Sequence, residues 1–358
     1  MLIQSGIDFN IPFSVLDPDA HAPCSSLAEF TVGKLTDYDK VLTFGNECEV
    51  ITIEIENVNT DALQELASRG KRVFPQPAII KLIQDKRLQK IFYRDSKIPT
   101  ADFILVENAN DVRLHRSFLP AVNKLGREGY DGRGVQILRS DGDLYKAFDA
   151  PGLLESLIDF DKEIAVIVAR SSNGEVKTFP AVEMVFHPVQ NLVEYLYSPA
   201  DLDSSIAAQA DQIARSIVGK LEMVGLLAVE MFVTKDGRVL VNEIAPRPHN
   251  SGHQTIEANI TSQYEQHLRA ILGLPLGDTT IIAPSAMVNL LGEPGYEGVA
   301  RYQGFEDVIS IPGVHVHLYG KRFTKPFRKM GHVTIVDSNR VELKRKADFV
   351  KDTLKVIA

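Results

Sequence analysis

Residues 226–247 read LLAVEMFVTKDGRVLVNEIAPR, two strand-like runs on either side of Asp236-Gly237, and this pattern predicts a β-hairpin. With Asp236 and Gly237 as a two-residue turn, Glu230 lies directly opposite Glu243. Side chains that face each other across strands are about 4.5–5.5 Å apart, and like charges there repel. Mg²⁺ offsets that repulsion, because it prefers oxygen ligands and commonly takes one or two carboxylates with substrate phosphates. The hairpin therefore predicts Glu230 and Glu243 as metal ligands.

The alternative is an exposed hairpin face on which both glutamates extend into water. We place the apolar residues Ala228, Phe232 and Val241 on the same face as the glutamates, which argues against full exposure. Both interpretations depend on the register, because a slip of one residue moves every side chain to the other face.

Length and charge limit the class of protein. A chain of 358 residues predicts two or three domains. The net charge of −8 disfavours broad attraction to nucleic acid or to an anionic membrane. Two cysteines, Cys24 and Cys48, are too few for a disulfide framework or a zinc site. No apolar run approaches the roughly 18 residues of a membrane span, and MLIQSGIDFN lacks signal-peptide features. We expect a cytoplasmic protein.

The order of predicted elements indicates an α/β fold with an α+β central part. Residues 1–75 alternate short strands (13–16, 40–43 and 50–55) with helical stretches such as 60–69, which is typical of a doubly wound sheet. Further predicted elements are a helix over 78–97, a hairpin over 163–187, a helix over 202–221 capped by Asp201 or Asp203, and a last helix from about 346. We predict domains at 1–77, 78–290 (with a lid at about 100–160) and 291–358.

A glycine-rich stretch, VNKLGREGYDGRGVQIL at 122–138, follows a predicted strand. Its glycine backbone N–H groups are suited to phosphate oxygens, and Lys124, Arg127 and Arg133 add positive charge. The spacing matches neither a Walker loop nor a dinucleotide fingerprint. A glycine-rich hairpin tip without a function is the alternative.

Two more stretches carry candidate ligand-binding groups. In LLESLIDFDKE, Glu155 and Glu163 are placed to accept ribose hydroxyls, or are ordinary solvated acids. The stretch YGKRFTKPFRKMGH (319–332) concentrates positive charge among aromatic residues, which suggests a bound phosphate or carboxylate, against a solvated basic loop as the alternative. Histidines 115, 187, 267 and 317 show no metal-ligand spacing, and we interpret them as structural or surface residues.

The glycine loop, the long helix and the two glutamate-bearing strands together resemble the ATP-grasp superfamily. Within it, GYDGRG (129–134), NEIAPRPHNSGH (242–253) and PSAMVNLLG (284–292) resemble the 5-(carboxyamino)imidazole ribonucleotide synthetase family, and the resemblance extends from about residue 16 to 336. It implies an ATP-grasp fold with an N-terminal doubly wound pre-ATP-grasp domain and a small strand-rich C-terminal domain. It also implies a homodimer.

The resemblance implies a reaction of ATP, bicarbonate and 5-aminoimidazole ribonucleotide in purine biosynthesis, with Mg²⁺ (or Mn²⁺) as cofactor. Bicarbonate attacks the γ-phosphate to give carboxyphosphate, which carboxylates the exocyclic amine directly or through released CO₂. Carboxyphosphate is short-lived in water, so a lid over it is expected.

The family's functional residues map onto this chain motif by motif. Glu230 and Glu243 match its metal ligands. The residues that match its ATP-binding positions are Lys86, Lys124, Gly129, Gly132, Glu155, Ile158, Glu163 and Asn242. Those that match catalytic positions around bicarbonate and the acceptor amine are Tyr130, Asp131, Arg133 and Arg247. Those on the ribonucleotide side are Asn250, Ser251, His253, Lys321 and Arg328.

The sequence departs from the family pattern at its start, where an expected strand and a GGGQLGRM-like turn do not occur and Met1 aligns with the methionine of that turn. We interpret this as a misassigned start codon, against a natural truncation or a trimmed chain. Glu128 also replaces a usual glycine. The competing functions are another ATP-grasp ligase or carboxylase, and a nucleotide-binding protein without catalysis.

Overall fold

The computed structural model describes residues 1–127, 134–186 and 193–358. The N-terminal part contains α1 (Leu2–Ile7), β1 (Ser14–Asp17), β2 (Glu29–Val32), α2 (Tyr38–Asn46), β3 (Val50–Ile51), α3 (Thr60–Ser68), β4 (Arg72–Val73), α4 (Pro77–Ile83) and α5 (Lys86–Asp95). Strands β1 and β2 pair in parallel, and β3 pairs with β4 in the same sense. The predicted alternation of strands and helices is therefore present, as two separate parallel pairs.

Residues 40–43, predicted as a strand, lie inside α2 instead. Asp37 caps this helix, and its side chain accepts a hydrogen bond from the backbone N–H of Lys40 at 3.1 Å. The helix packs closely on α3, since a Cβ on Gly45 would come within 2.3 Å of Leu66 Cδ1. The apolar run was misread because a short run does not distinguish a strand from a buried helix face.

The predicted helix over 78–97 is two helices, because Asp85 interrupts it. The Asp85 side chain accepts the backbone N–H of Arg87 at 3.0 Å and so begins α5 as its N-cap. This break places Lys86 in the first turn of α5.

A small antiparallel sheet follows, within the range predicted as the lid. Its four strands are β5 (Phe103–Val106), β6 (Ala121–Leu125), β7 (Val135–Leu138) and β8 (Gly152–Ser156), and helix α6 (Ala109–Leu114) connects β5 to β6. Its strands lie in the order β5-β8-β6-β7, around a core that contains Val106, Leu138 and Leu154.

The rest of the chain contains one large sheet, two separate two-stranded sheets and their helices. Its elements are β9 (Phe160–Arg170), β10 (Val176–Thr178), β11 (Val182–Phe186), β12 (Val193–Ser198), α7 (Ser204–Leu221), β13 (Gly225–Thr234), β14 (Val239–Ala245), α8 (Thr255–Ala258), α9 (Gln263–Leu272), β15 (Ser285–Leu291), β16 (Gly298–Val299), β17 (Arg301–Gln303), α10 (Phe305–Ile309), β18 (Val314–Leu318), β19 (Phe323–Thr324), β20 (Lys329–Val336), α11 (Arg340–Thr353) and β21 (Lys355–Ile357). The strand order of the large sheet is β14-β13-β9-β11-β12-β15-β20-β18, and β10 pairs with β9. Strand β16 pairs with β19, and β17 pairs with β21, in the two smaller sheets.

Two long helices cover one face of this sheet. Val229 and Met231 of β13 share a core with α7, and Val333 of β20 shares a core with α11. Because successive side chains of a strand point to opposite faces, Glu230 and His332 lie on the other face. That second face carries the candidate site.

Helix caps explain two smaller differences from prediction. Helix α7 has Asp203 as N-cap residue, as expected, but without a side-chain hydrogen bond. Helix α11 begins at Arg340 rather than near residue 346, because the Asn339 side chain accepts the backbone N–H groups of Val341 and Glu342.

The predicted domain boundaries near 77 and 290 stay predictions. The large sheet continues across residue 290, since β15 pairs with β12 on one side and β20 on the other. Among the described residues, no helix combines the length and apolar character that crossing a membrane requires.

Candidate active site

The hairpin β13–β14 brings Glu230 directly opposite Glu243, as predicted, but by a different register. Thr234 and Arg238 close a three-residue loop, with Thr234 N donating to Arg238 O at 2.9 Å and Gly237 at a φ of 80°. The predicted two-residue turn is therefore wrong. A β-bulge at Asn242 shifts the register back by one residue, so the pairing of the two glutamates is confirmed.

The bulge also puts two consecutive side chains on the side of the cleft. Asn242 Oδ1 accepts a hydrogen bond from Lys124 Nζ at 2.8 Å, and Glu243 Oε2 accepts one from Lys86 Nζ at 2.7 Å. In a regular strand, consecutive residues would point to opposite faces. Val241 pairs with Met231 and lies in the core under α7, so its predicted place beside the glutamates is wrong.

Two lysines from different elements meet the hairpin. Lys86 begins α5, and its backbone N–H donates to Gly126 O at 2.7 Å, which ties the helix to the start of the glycine loop. Lys124 lies on β6, and its ammonium contacts Glu155 Oε2 at 2.9 Å. The structure thus brings together predicted phosphate-binding cations that are separated in sequence.

Glu155 is buried between two lysines, one of which the sequence analysis missed. Lys90 Nζ lies 3.0 Å from Glu155 Oε1 and donates to Thr100 Oγ1 at 2.5 Å. Burial lowers the pKa of Lys90. Burial opposes ionisation of Glu155 too, yet Lys124 and Lys90 hold the pKa of that carboxyl below its ordinary value. The available signal was the four-residue spacing of Lys86 and Lys90, which places both on one helix face.

Three carboxyl groups at the hairpin have shifted pKa values. Burial, with added repulsion from Glu243 and Glu163, raises the pKa of Glu230. The Lys86 ammonium lowers the pKa of Glu243. Glu163 lies on β9 opposite Phe232 of β13, and burial raises its pKa to about 7.

These carboxylates fit a divalent cation. The Glu243 side chain is 41% exposed and that of Glu230 is 16% exposed, so the pair is open to a ligand. Among the described residues there is no cluster of three or more His, Cys, Asp or Glu suited to a metal. Two carboxylates that leave coordination positions for substrate phosphates match the preference of Mg²⁺.

The segment after Glu243 returns to the cleft through His249, which the sequence analysis did not assign. Its Nδ1 accepts the backbone N–H of Ser251 at 3.3 Å, so Nε2 carries the proton and lies 3.3 Å from Glu230 Oε1. Burial, with the nearby Arg247 charge, lowers the pKa of His249 and keeps the ring neutral. The Ser251 hydroxyl lies 2.8 Å from the same Nδ1, so it supports the histidine. Asn250 lies beside it, half-buried.

Arg247 links the cleft to the N-terminal part. Its Nε donates to Glu56 Oε1 at 2.7 Å, and both side chains are about one-quarter exposed, at 24% and 26%. Glu56 is a second residue that the sequence analysis missed, and no local pattern marks it.

In the stretch 319–332, the basic loop after β18, three of the five cations lie close together. Lys321 Nζ donates to Lys329 O at 2.7 Å, and Arg328 Nη1 donates to Phe323 O at 2.8 Å. Burial lowers the pKa of Lys321, and the charges of Arg328 and Lys329 lower it further. Mutually repelling cations of this kind favour an anion such as a phosphate between them.

The tip of the glycine loop falls outside the described residues, and so do Gly129, Tyr130, Asp131, Gly132 and Arg133, together with His187. The two ends of the loop meet, since Leu125 N donates to Gly134 O at 2.9 Å. Ile158 lies half-buried in the linker between β8 and β9.

Sequence profiles of three domains match the chain in order. They are a ribonucleotide synthetase preATP-grasp domain at residues 1–84, an ATP-grasp domain at 91–264 and a phosphoribosylaminoimidazole carboxylase C-terminal domain at 285–346. The chloroplastic phosphoribosylaminoimidazole carboxylase of Vigna aconitifolia is 38% identical over 95% of this chain, which spans 62% of that protein's length. The N5-carboxyaminoimidazole ribonucleotide synthase of Synechococcus elongatus is 38% identical over 94% of this chain and 86% of its own length.

Solved structures agree with this match. N5-carboxyaminoimidazole ribonucleotide synthetase from Thermotoga maritima superposes with a TM-score of 0.91 at 37% identity, covering 100% of this chain and 96% of that one. N5-carboxyaminoimidazole synthase from Aspergillus clavatus, in complex with ADP and 5-aminoimidazole ribonucleotide, gives 0.89 at 32% identity, covering 98% and 95%. The fold is an ATP-grasp fold with N-terminal pre-ATP-grasp and C-terminal domains, and the chain belongs to the N5-carboxyaminoimidazole ribonucleotide synthetase family of ATP-grasp enzymes.

Proposed function

We propose that this chain carboxylates 5-aminoimidazole ribonucleotide to N5-carboxyaminoimidazole ribonucleotide, with ATP and bicarbonate, in purine biosynthesis. The observation that carries the proposal is the opposed pair Glu230 and Glu243, with Lys86 on Glu243 and Lys124 on the neighbouring Asn242, in a chain of this family. The Aspergillus relative, solved with ADP and 5-aminoimidazole ribonucleotide, supports the two substrate classes.

The nucleotide phosphates bind beside the hairpin. Glu230 and Glu243 hold Mg²⁺, or Mn²⁺ in its place, which when bound neutralises phosphate charge and orients the γ-phosphoryl group. We assign Lys86 and Lys124 to the phosphates, where their ammonium groups donate charge-assisted hydrogen bonds. An ammonium has three N–H donors, so Lys124 binds a phosphate while it keeps its contacts with Asn242 and Glu155. Asn242 keeps Lys124 in place, and Gly129 and Gly132 supply backbone N–H groups.

The nucleoside lies along the linker between β8 and β9. Because the Glu155 carboxylate is already paired with two lysines, we propose that Glu155 and Ile158 meet adenine through backbone groups. Glu163, close to the cleft and not engaged in an ion pair among the described residues, accepts ribose hydroxyls.

The reaction then needs two transfers. A bicarbonate oxygen attacks the γ-phosphorus, the bond from that phosphorus to the ADP oxygen breaks, and carboxyphosphate and ADP result. The exocyclic nitrogen next attacks the carboxyl carbon, the carbon–oxygen bond to phosphate breaks, and the nitrogen loses a proton as phosphate leaves. We assign Arg247, Tyr130, Asp131 and Arg133 to bicarbonate and the amine, where positioning and charge stabilisation lower the barrier.

The ribonucleotide occupies the side of the cleft that faces the C-terminal part. Lys321 and Arg328 take its phosphate, a pairing that suits a dianion. Asn250, Ser251 and His253 line the base and ribose, with Ser251 acting through His249. A homodimer, which the family resemblance implies, is checked by light scattering on the purified chain, and the cytoplasmic location stays an expectation from the sequence.

The decisive experiment measures phosphate release from ATP in the presence of bicarbonate, with and without 5-aminoimidazole ribonucleotide. Stimulation by the ribonucleotide, with radiolabelled bicarbonate incorporated into it, supports the proposal. Bicarbonate-dependent release that the ribonucleotide leaves unchanged would overturn it in favour of another ATP-grasp carboxylase. The matched control is Glu65→Gln, an exposed glutamate paired with Arg69, which should keep the full rate.

A further inference from the structure

Three histidines from separate elements form a continuous ring stack on the cleft face of the large sheet. The ring centroids of His253 and His332 are 4.6 Å apart, and those of His332 and His317 are 4.5 Å apart. His332 on β20 and His317 on β18 are direct strand partners, and His253 follows the NSG turn at the end of the 242–253 motif. We call these residues the histidine stack.

His253, at the inner end of the stack, is held in one tautomer by its hydrogen-bond partners. Gln263 Oε1 accepts the backbone N–H of His249 at 2.8 Å, which identifies Gln263 Nε2 as the amide donor. That amide lies 3.1 Å from His253 Nδ1, and Tyr264 Oη lies 2.7 Å from it. His253 Nδ1 is therefore an acceptor, and Nε2 carries the proton. Burial lowers the pKa of His253 to about 3, so the ring is neutral.

The other two rings, His317 and His332, also have hydrogen-bond partners. His317 Nε2 lies 2.6 Å from Glu257 Oε1 on α8, and the Tyr319 hydroxyl lies 3.1 Å from His332 Nδ1. His332 is fully buried, and its Nε2 has no hydrogen-bond partner among the described residues. The observed contacts that hold His332 are the two stacked rings and the Tyr319 hydroxyl.

The stack physically connects the two halves of the candidate site. On one side, Gln263 Nε2 donates to the carbonyl oxygen of His249 at 2.7 Å, and the His249 ring reaches Glu230. On the other side, the Lys321 ammonium lies 5.6 Å from the centroid of the Tyr319 ring, and Tyr319 contacts His332. An unbroken line of contacts thus runs from the metal-binding glutamate to the basic loop.

We propose that His332 and His317 are positioning residues that set the separation between the phosphoryl-transfer side and the ribonucleotide side. This inference rests on the proposed function. His332 acts through His253 and Tyr319, and His317 acts through His332, rather than on the substrate. Cores and stacked rings are close-packed, so a missing ring lets the flanking elements shift, and misplacement by about 1 Å costs on the order of 10²-fold in a positioned reaction.

The consequence of a loosened stack is uncoupling rather than loss of ATP cleavage. Carboxyphosphate would still form beside Glu230 and Glu243, but the ribonucleotide amine would not be placed to accept its carboxyl group. Water would then hydrolyse carboxyphosphate to bicarbonate and phosphate. The ratio of ADP formed to carboxylated ribonucleotide formed should therefore rise.

The test compares His332→Leu, which removes the ring, with His332→Phe, which keeps one. We expect His332→Leu to raise that ratio and the KM for the ribonucleotide by roughly threefold to tenfold, the range that a lost ring contact implies, with the KM for ATP unchanged. His332→Phe should restore coupling to near the wild-type ratio. His317→Leu, at a position whose side chain is 25% exposed, gives the same readout if His332→Leu does not fold.

The matched control is Val333→Ala, the next position on β20, whose side chain is fully buried on the opposite face. It should lower the melting temperature without changing the ratio. Wild-type coupling in both leucine variants, or equal uncoupling in Val333→Ala, would overturn the inference. A wild-type chain that fails to carboxylate the ribonucleotide would instead refute the proposed function.

Discussion

Glu230 and Glu243 lie directly opposite each other, and a β-bulge at Asn242 between two otherwise regular ladders puts them there. Because of the bulge, the carboxylates of Glu230 and Glu243 and the amide of Asn242 all lie on the cleft side of the hairpin. Lys86 donates a hydrogen bond to Glu243, and Lys124 donates one to Asn242. This arrangement makes the hairpin both the metal-binding element and the anchor for the phosphate-binding lysines.

Glu243→Gln should reduce ATP turnover by at least about 100-fold, since even outer-shell partners of a metal contribute 10–100-fold. The amide keeps the shape but removes the charge that the cation and Lys86 share. Steady-state ATPase assays measure the rate, and titration calorimetry with Mn²⁺ and a nonhydrolysable nucleotide measures metal binding. A substantial residual rate with unchanged metal affinity would show that Glu243 is not a ligand.

Arg328→Ala should raise the ribonucleotide KM by about tenfold or more, because a charge-assisted hydrogen bond contributes about 1.5–3 kcal/mol. The KM for ATP should stay constant, since Arg328 lies in the basic loop and not on the hairpin. The control is Arg322→Ala, a neighbouring cation whose guanidinium lies over the Phe323 ring. An equal rise in the ribonucleotide KM for both substitutions would mean that the loop attracts the ribonucleotide only through its overall positive charge.

Lys90→Met should lower the free energy of unfolding by about 3 kcal/mol, because removing one partner of a buried pair leaves an incompletely compensated charge. Glu155 would keep Lys124 alone. Denaturant unfolding measures the change. The control is Lys81→Met, which breaks an exposed pair with Asp61 and should change stability by less than about 1 kcal/mol. A small effect of Lys90→Met would mean that water or other groups compensate Glu155.

Acid should destabilise the protein partly through His267, a buried ring whose Nε2 lies 2.8 Å from Thr52 Oγ1. Burial lowers its pKa to about 4. Because this folded-state pKa lies below the unfolded value of about 6.5, the unfolded chain binds more protons as the pH falls between these values. Stability present above pH 6.5 is then lost towards pH 4, by up to about 1.4 kcal/mol per pH unit for one histidine.

His267→Leu should therefore flatten the dependence of unfolding free energy on pH in that window, although the variant is less stable at pH 7 because Leu226 N loses its acceptor. Denaturant unfolding at several pH values measures the slope. The exposed position His315 provides the control, since His315→Gln should leave the slope unchanged. An unaltered slope in His267→Leu would assign the acid sensitivity to other groups.

The sequence was most informative where a local pattern has a single structural meaning. The strand-like runs 226–234 and 238–244 around Asp236-Gly237 predicted the hairpin, and the pattern of 202–221 predicted α7. It was least informative for short apolar runs, such as 40–43, which was predicted as a strand but lies in the helix that Asp37 caps. The glutamate pairing was predicted correctly although the turn was wrong, because the longer loop and the bulge cancel in register.

The sequence by itself determined the long elements, such as the β13–β14 hairpin and α7, together with the candidate metal pair, the cationic loops and, through its motifs, the family. Only the tertiary structure decided which distant groups meet. Arg247 reaches Glu56 across 191 positions, Lys90 and Lys124 enclose Glu155, and three histidines from separate elements stack into one column. The physical reason is that periodicity and turn chemistry act over a few residues, whereas these contacts depend on how whole elements pack and which polar groups must be satisfied when buried.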